Sequence, residues 1–224
     1  RLPGPEDTPA MGSDPIALRT LALATAGVVA FESLARWAIA QNGVNPLAGI
    51  GWARLADIAW MMLIISRCPR GWSRTGLARS GWTAGLVRGL IWSAGFGILA
   101  AIGYALLHMA GFDPLRIIRP GPTALFPRPA LLFLVGGLIA PVAEEIYFRG
   151  LMYGYCRRWG FWPALLLSTL VFTFLHGNTP GAPIPQLVGG LVFATAYEGE
   201  KSLLVPVLIH ILGNTAIFSI TYWL

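Results

Sequence analysis

The chain has 224 residues, 55% hydrophobic and only 12% charged, with a formal net charge of +6 and a mean hydropathy of +0.64. A soluble domain carries about 25% charged residues, so this composition excludes an ordinary soluble domain and points to a polytopic membrane protein. The positive balance does not indicate a nucleic-acid binder, because lysine is scarce, there is no basic tail, and the arginines flank apolar runs.

The first residues, RLPGPEDTPAMGSDP, are polar and rich in Pro and Gly. Residues 1–15 are read as a disordered leader or a remnant of expression and set aside from the fold. Residues 16–224 are read as a single transmembrane helical domain. A spanning helix needs about 20 mostly apolar residues. Seven stretches approach this: 16–40, 49–66, 83–110, 128–153, 161–177, 184–198 and 202–224. The sixth is short and contains Gly189-Gly190. Uncharged turns rich in Gly, Pro and Asn separate some of them, as in QNGVNP at 41–46. The segment 67–80 carries Arg67, Arg70, Arg74 and Arg79. Together with Arg157, Arg158 and Lys201 these outnumber Arg116, Arg119 and Arg128 on the alternate side, which places the N-terminus inside. The expected fold class is all-α, a bundle of about seven (6–8) membrane helices enclosing a polar site. Cys68 and Cys156 have neither metal nor redox spacing.

The stretch APVAEEIYFRG, 140–150, interrupts an apolar run with Glu144, Glu145 and Arg149. Charge at membrane depth is expensive and calls for a partner or a task. Glu145 and Arg149 are four apart, share a helix face and can pair. Glu144 lies about 100° around the helix from Glu145 and about 140° from Arg149, which leaves it without a local partner. Pro141 lacks an amide hydrogen and is expected to kink or loosen the helix there. Two other sets read as structural pairs: Glu32 with Arg36, and Asp57 with Arg54. Three histidines remain. His108 stands alone and reads as structural. His176 shares a face with Phe172, and His210 with Asn214. An acid, a histidine, and a histidine with an asparagine thus lie on three separate apolar stretches. A carboxylate and an imidazole can activate water, while a second imidazole and an amide can donate to a developing oxyanion. That chemistry is hydrolysis, and its depth points to a peptide bond in a membrane-bound substrate.

Glu144-Glu145-x-x-x-Arg149, Phe172-x-x-x-His176 and His210-x-x-x-Asn214 resemble the three motifs of the CAAX protease and bacteriocin-processing family. The family includes the prenyl-CAAX endopeptidases. The resemblance covers about 83–224. It implies a glutamic-type intramembrane protease, with Glu144 and His176 activating water and His210 and Asn214 forming the oxyanion hole. Glu145 and Arg149 would support the site, and Phe172 would pack beside it. The resemblance implies metal-free catalysis with no cofactor. The expected partners are the lipid bilayer and a membrane-anchored protein or peptide cut near its C-terminus, and the expected location is a bacterial inner membrane. Alternatives are a non-catalytic bacteriocin-immunity or binding protein, a proton-relaying transporter, and a zinc-dependent protease using the two histidines and one glutamate. The chain contains no HExxH.

Overall fold

The computed structural model describes residues 15–115, 128–177 and 183–223. Seven helices carry the fold among these: α1 (Leu18–Asn42), α2 (Pro46–Arg67), α3 (Trp82–Met109), α4 (Pro129–Trp159), α5 (Phe161–Leu175), α6 (Ile184–Glu200) and α7 (Leu204–Trp223). Each falls within a few residues of an apolar stretch expected above, except that α4 runs on to Trp159. Among the described residues, the expected leader is represented only by Pro15. Arg116 and Arg119, used to orient the chain, lie outside them.

Local chemistry sets the helix ends. α1 stops at Gly43, whose φ of 61° is left-handed and costs glycine little. Asn45 then caps α2, its side chain accepting from Ala48 N at 3.2 Å, and Pro46 opens the helix where no amide hydrogen is needed. Among the described residues, five helical segments are long and apolar enough to cross a bilayer, those containing α1, α2, α3, α4 and α7. α5 has 15 residues and reaches only about 22 Å, short of a hydrocarbon core of about 30 Å.

α4 is the centre of the bundle. It is α-helical at Pro129–Leu132 and again at Ala140–Glu145, and it widens to π geometry over Phe133–Ile139 and Ile146–Tyr153. The first widening is the form taken by the loosening expected at Pro141. Ala140 N–H bonds Val135 O, five residues back, instead of Gly136 O. The next residue, Pro141, has no amide hydrogen to offer. The carbonyl of Gly136 is therefore left over from the ladder and is free to accept a side chain.

α3 lies against α7 through small residues. A Cβ at Gly85 would meet Ser202 Oγ at 2.5 Å, and one at Gly89 would meet Leu208 Cδ1 at 2.7 Å. Close approach of this kind is how apolar helices associate without a hydrophobic drive between them. Much of the rest of α3 is exposed and apolar, including Ile91, Ile98, Leu99 and Leu106.

Candidate active site

The two adjacent acids of α4 have different surroundings. Glu145 and Arg149 are both fully buried, with Arg149 Nη1 donating to Glu145 Oε1 at 2.9 Å. Arg149 Nη2 donates to Gly190 O on α6 at 3.1 Å. Three rings surround the guanidinium, with centroids 4.9 Å away for Phe172, 5.1 Å for Phe193 and 5.9 Å for Phe148. An arginine held by one carboxylate, one carbonyl and aromatic faces can remain charged without water.

Glu144 faces elsewhere. Its Oε2 lies 3.7 Å from His176 Nε2 and 3.8 Å from His210 Nε2. Its Oε1 lies 3.9 Å from Arg54 Nη2 on α2. Glu144, without a local partner by spacing, thus has a distant one. Arg54 also meets Glu32 Oε1 of α1 at 3.2 Å and Asp57 Oδ2 at 3.4 Å. The expected Glu32–Arg36 pair is corrected accordingly. Glu32 turns to Arg54, and Arg36 is exposed. A neighbouring helix offers a nearer cation than the helix's own surface does. The Arg54–Asp57 pair is present as read.

Each histidine is held by its other nitrogen. His176 follows the last residue of α5, where its amide turns to Thr173 O at 3.1 Å. Phe172 O, one of the carbonyls that a helix end leaves open, then takes His176 Nδ1 at 2.8 Å. A carbonyl only accepts, so Nδ1 carries the proton and Nε2 is directed to Glu144. His210 Nδ1 meets Glu145 Oε1 at 2.8 Å, which by the same logic leaves Nε2 toward Glu144. The His210 ring stacks on Phe193, with centroids 4.7 Å apart and planes 23° apart. Phe172 sits among Arg149, His176 and His210, its centroid 4.5 Å from the His176 ring.

Asn214, one turn beyond His210, gives Nδ2 to Gly136 O at 2.9 Å. That bond answers the carbonyl stranded by Pro141 and fixes which end of the amide is nitrogen. A second Nδ2 hydrogen remains. His108 stands apart, stacked on Tyr104 at 6.2 Å. Among the described residues, no group of three His, Cys, Asp or Glu is disposed to hold a metal ion.

Sequence reasoning missed three members of this arrangement. Arg54 was read as a structural pair only, although an arginine inside an apolar run is itself a signal. The Gly136 carbonyl was marked by Pro141 five residues later. Phe193, in an apolar run, carried no signal.

Residues 126–216 match the family described as Type II CAAX prenyl endopeptidase Rce1-like. All seven motif residues fall in this stretch. This stretch is similar to an Rce1-like CAAX protease domain. The chain is 29% identical to YdiL of Bacillus subtilis (strain 168) over 86 residues, 38% of this chain and 35% of that protein. It is 32% identical to the membrane-embedded CAAX protease MroQ of Staphylococcus aureus (strain USA300) over 93 residues, 38% of this chain and 37% of that protein. An uncharacterized 24.3 kDa protein of Escherichia coli is 30% identical over 137 residues, 57% of this chain and 62% of that protein. The chain thus spans about a third of the length of the first two relatives and under two thirds of the third. No solved structure matches it. The match to that membrane-protease family and the apolar helices together make this a multi-pass integral membrane protein.

Proposed function

We propose that the chain is an intramembrane endopeptidase of glutamic type, acting in a bacterial plasma membrane on a membrane-anchored protein or peptide near its C-terminus. The observation that carries this reading is the placement of Glu144 Oε2 within 3.7 and 3.8 Å of two imidazole Nε2 atoms whose Nδ1 atoms are already committed. At such separations a single water oxygen can bridge the three groups. Glu144 takes the water proton and the resulting hydroxide adds to the scissile carbonyl. His176, with its proton on Nδ1, accepts a hydrogen bond at Nε2 and steers the nucleophile. His210 donates from Nε2 to the oxyanion. Its Nδ1–H is already donated to the Glu145 carboxylate at 2.8 Å, so donation from Nε2 as well draws on the doubly protonated ring. Asn214 contributes its second amide hydrogen. The proton held by Glu144 then passes to the leaving amine.

The test is cleavage by the purified protein in detergent, followed by mass spectrometry of membrane-protein C-termini with and without it. Shortened termini that depend on Glu144 support the reading. An intact set of termini, with a folded protein, leaves a binding or immunity role instead.

A further inference from the structure

We propose that Arg54 is a positioning residue for Glu144, an inference that rests on reading Glu144 as the base. The two oxygens of Glu144 are divided between two neighbours. Oε1 faces Arg54 Nη2 at 3.9 Å, and Oε2 faces His176 and His210. A carboxylate turns readily about its last bond. A cation on one side and two imidazoles on the other fix its plane, so that one defined oxygen meets the histidines.

The guanidinium is divided as well. Nη1 serves Glu32 at 3.2 Å and Asp57 at 3.4 Å, and Nη2 reaches toward Glu144. Asp57 is fully buried, and with Glu32 it holds the arginine on α2 and α1. At 3.9 Å Arg54 makes no hydrogen bond to Glu144. It acts by charge alone and leaves the lone pairs of Glu144 open to a proton. Arg149 does the opposite to Glu145, bonding it directly at 2.9 Å. Adjacent acids are thus given different roles by the distances of their arginines. Such a difference is chemically useful: a directly bonded carboxylate is poorly placed to receive a proton, and an isolated one is poorly aimed.

The competing account makes Arg54 a clasp between α1 and α2 that happens to lie near Glu144. The test uses the full chain in detergent with two readouts. The first is steady-state cleavage of an internally quenched peptide ending in a farnesylated cysteine and three further residues. The second needs no substrate: the imidazole Nε2 resonances of His176 and His210 in ¹⁵N-histidine-labelled protein. Arg54→Gln is expected to lower kcat by roughly 10- to 100-fold, by analogy with residues that orient the ligands of a metal, with little change in KM. It should also move both Nε2 resonances. Arg54→Lys restores most of both because it restores the charge, and Arg36→Gln changes neither. If Arg54→Gln does not fold, the triple variant E32Q/R54M/D57N removes the cation together with both acids that hold it, an exchange that leaves neither of them unpaired, and the same losses are expected. Folded variants with unmoved resonances make Arg54 a clasp and overturn the proposal, whether or not the peptide is cut. Retained cleavage by Glu144→Gln would instead overturn the reading of Glu144 as the base, and the two failures are separable.

Discussion

One oxygen of Glu145 joins His210 to Arg149: Oε1 receives His210 Nδ1 at 2.8 Å and Arg149 Nη1 at 2.9 Å. The acid is therefore a strut and an electrostatic partner at once. Glu145→Gln unpairs a fully buried arginine, which costs about 3–5 kcal/mol where no new partner forms. Lower yield and a lower Tm are expected. The folded survivors should also turn over more slowly, because His210 Nδ1 loses the carboxylate that holds its ring in place. Thermal melting and kcat per folded molecule measure the two effects separately.

Glu144→Gln should leave the protein folded and stop cleavage. The variant keeps the shape, and among the described residues the partners of Glu144 stand at ion-pair distances of 3.7–3.9 Å. Near-normal turnover of a purified, well-melting Glu144→Gln protein would show that the base is another group.

Asn214→Ala separates two uses of one amide. The bond to Gly136 O at 2.9 Å predicts a loss of stability of about 0.6 kcal/mol, the average for hydrogen bonds between membrane helices. The oxyanion role predicts a fall in kcat of about 100- to 1000-fold with KM little changed. Both are expected together. Asn214→Asp should be worse on both counts, since it sets a carboxylate against the Gly136 carbonyl and the oxyanion. A stable Asn214→Ala protein with unchanged kcat removes Asn214 from the reaction.

Activity should survive chelation. The chemistry assigned to Glu144, His176, His210 and Asn214 needs no metal. Loss of cleavage with a chelator, restored by added zinc, would transfer the mechanism to the metal-dependent alternative.

What the sequence made legible was what is local. Apolar run length set the helices, because a bilayer demands about 20 residues per span. The Glu145–Arg149 pair follows from i,i+4 geometry within one helix. Pairing across helices was not legible. Glu32 and Arg36 satisfy the same spacing rule, yet Glu32 finds Arg54, and the same arginine reaches Glu144 from 90 positions away. Hydrogen-bond roles were hidden for a related reason. Nothing in His210-x-x-x-Asn214 says that its histidine is tied to Glu145, or that its asparagine answers a carbonyl stranded by Pro141.

The hold that Arg149 has on α6 also limits how this chain can change. Gly190 O receives the guanidinium and Phe193, three positions on, covers it while stacking His210. Side chains elsewhere on α6 can be exchanged without disturbing that spacing. One residue inserted or deleted between Gly190 and Phe193 would turn the ring by about 100° away from both partners. Homologous chains should therefore keep the count between these two positions even where their letters differ, so α6 serves as a gauge of length.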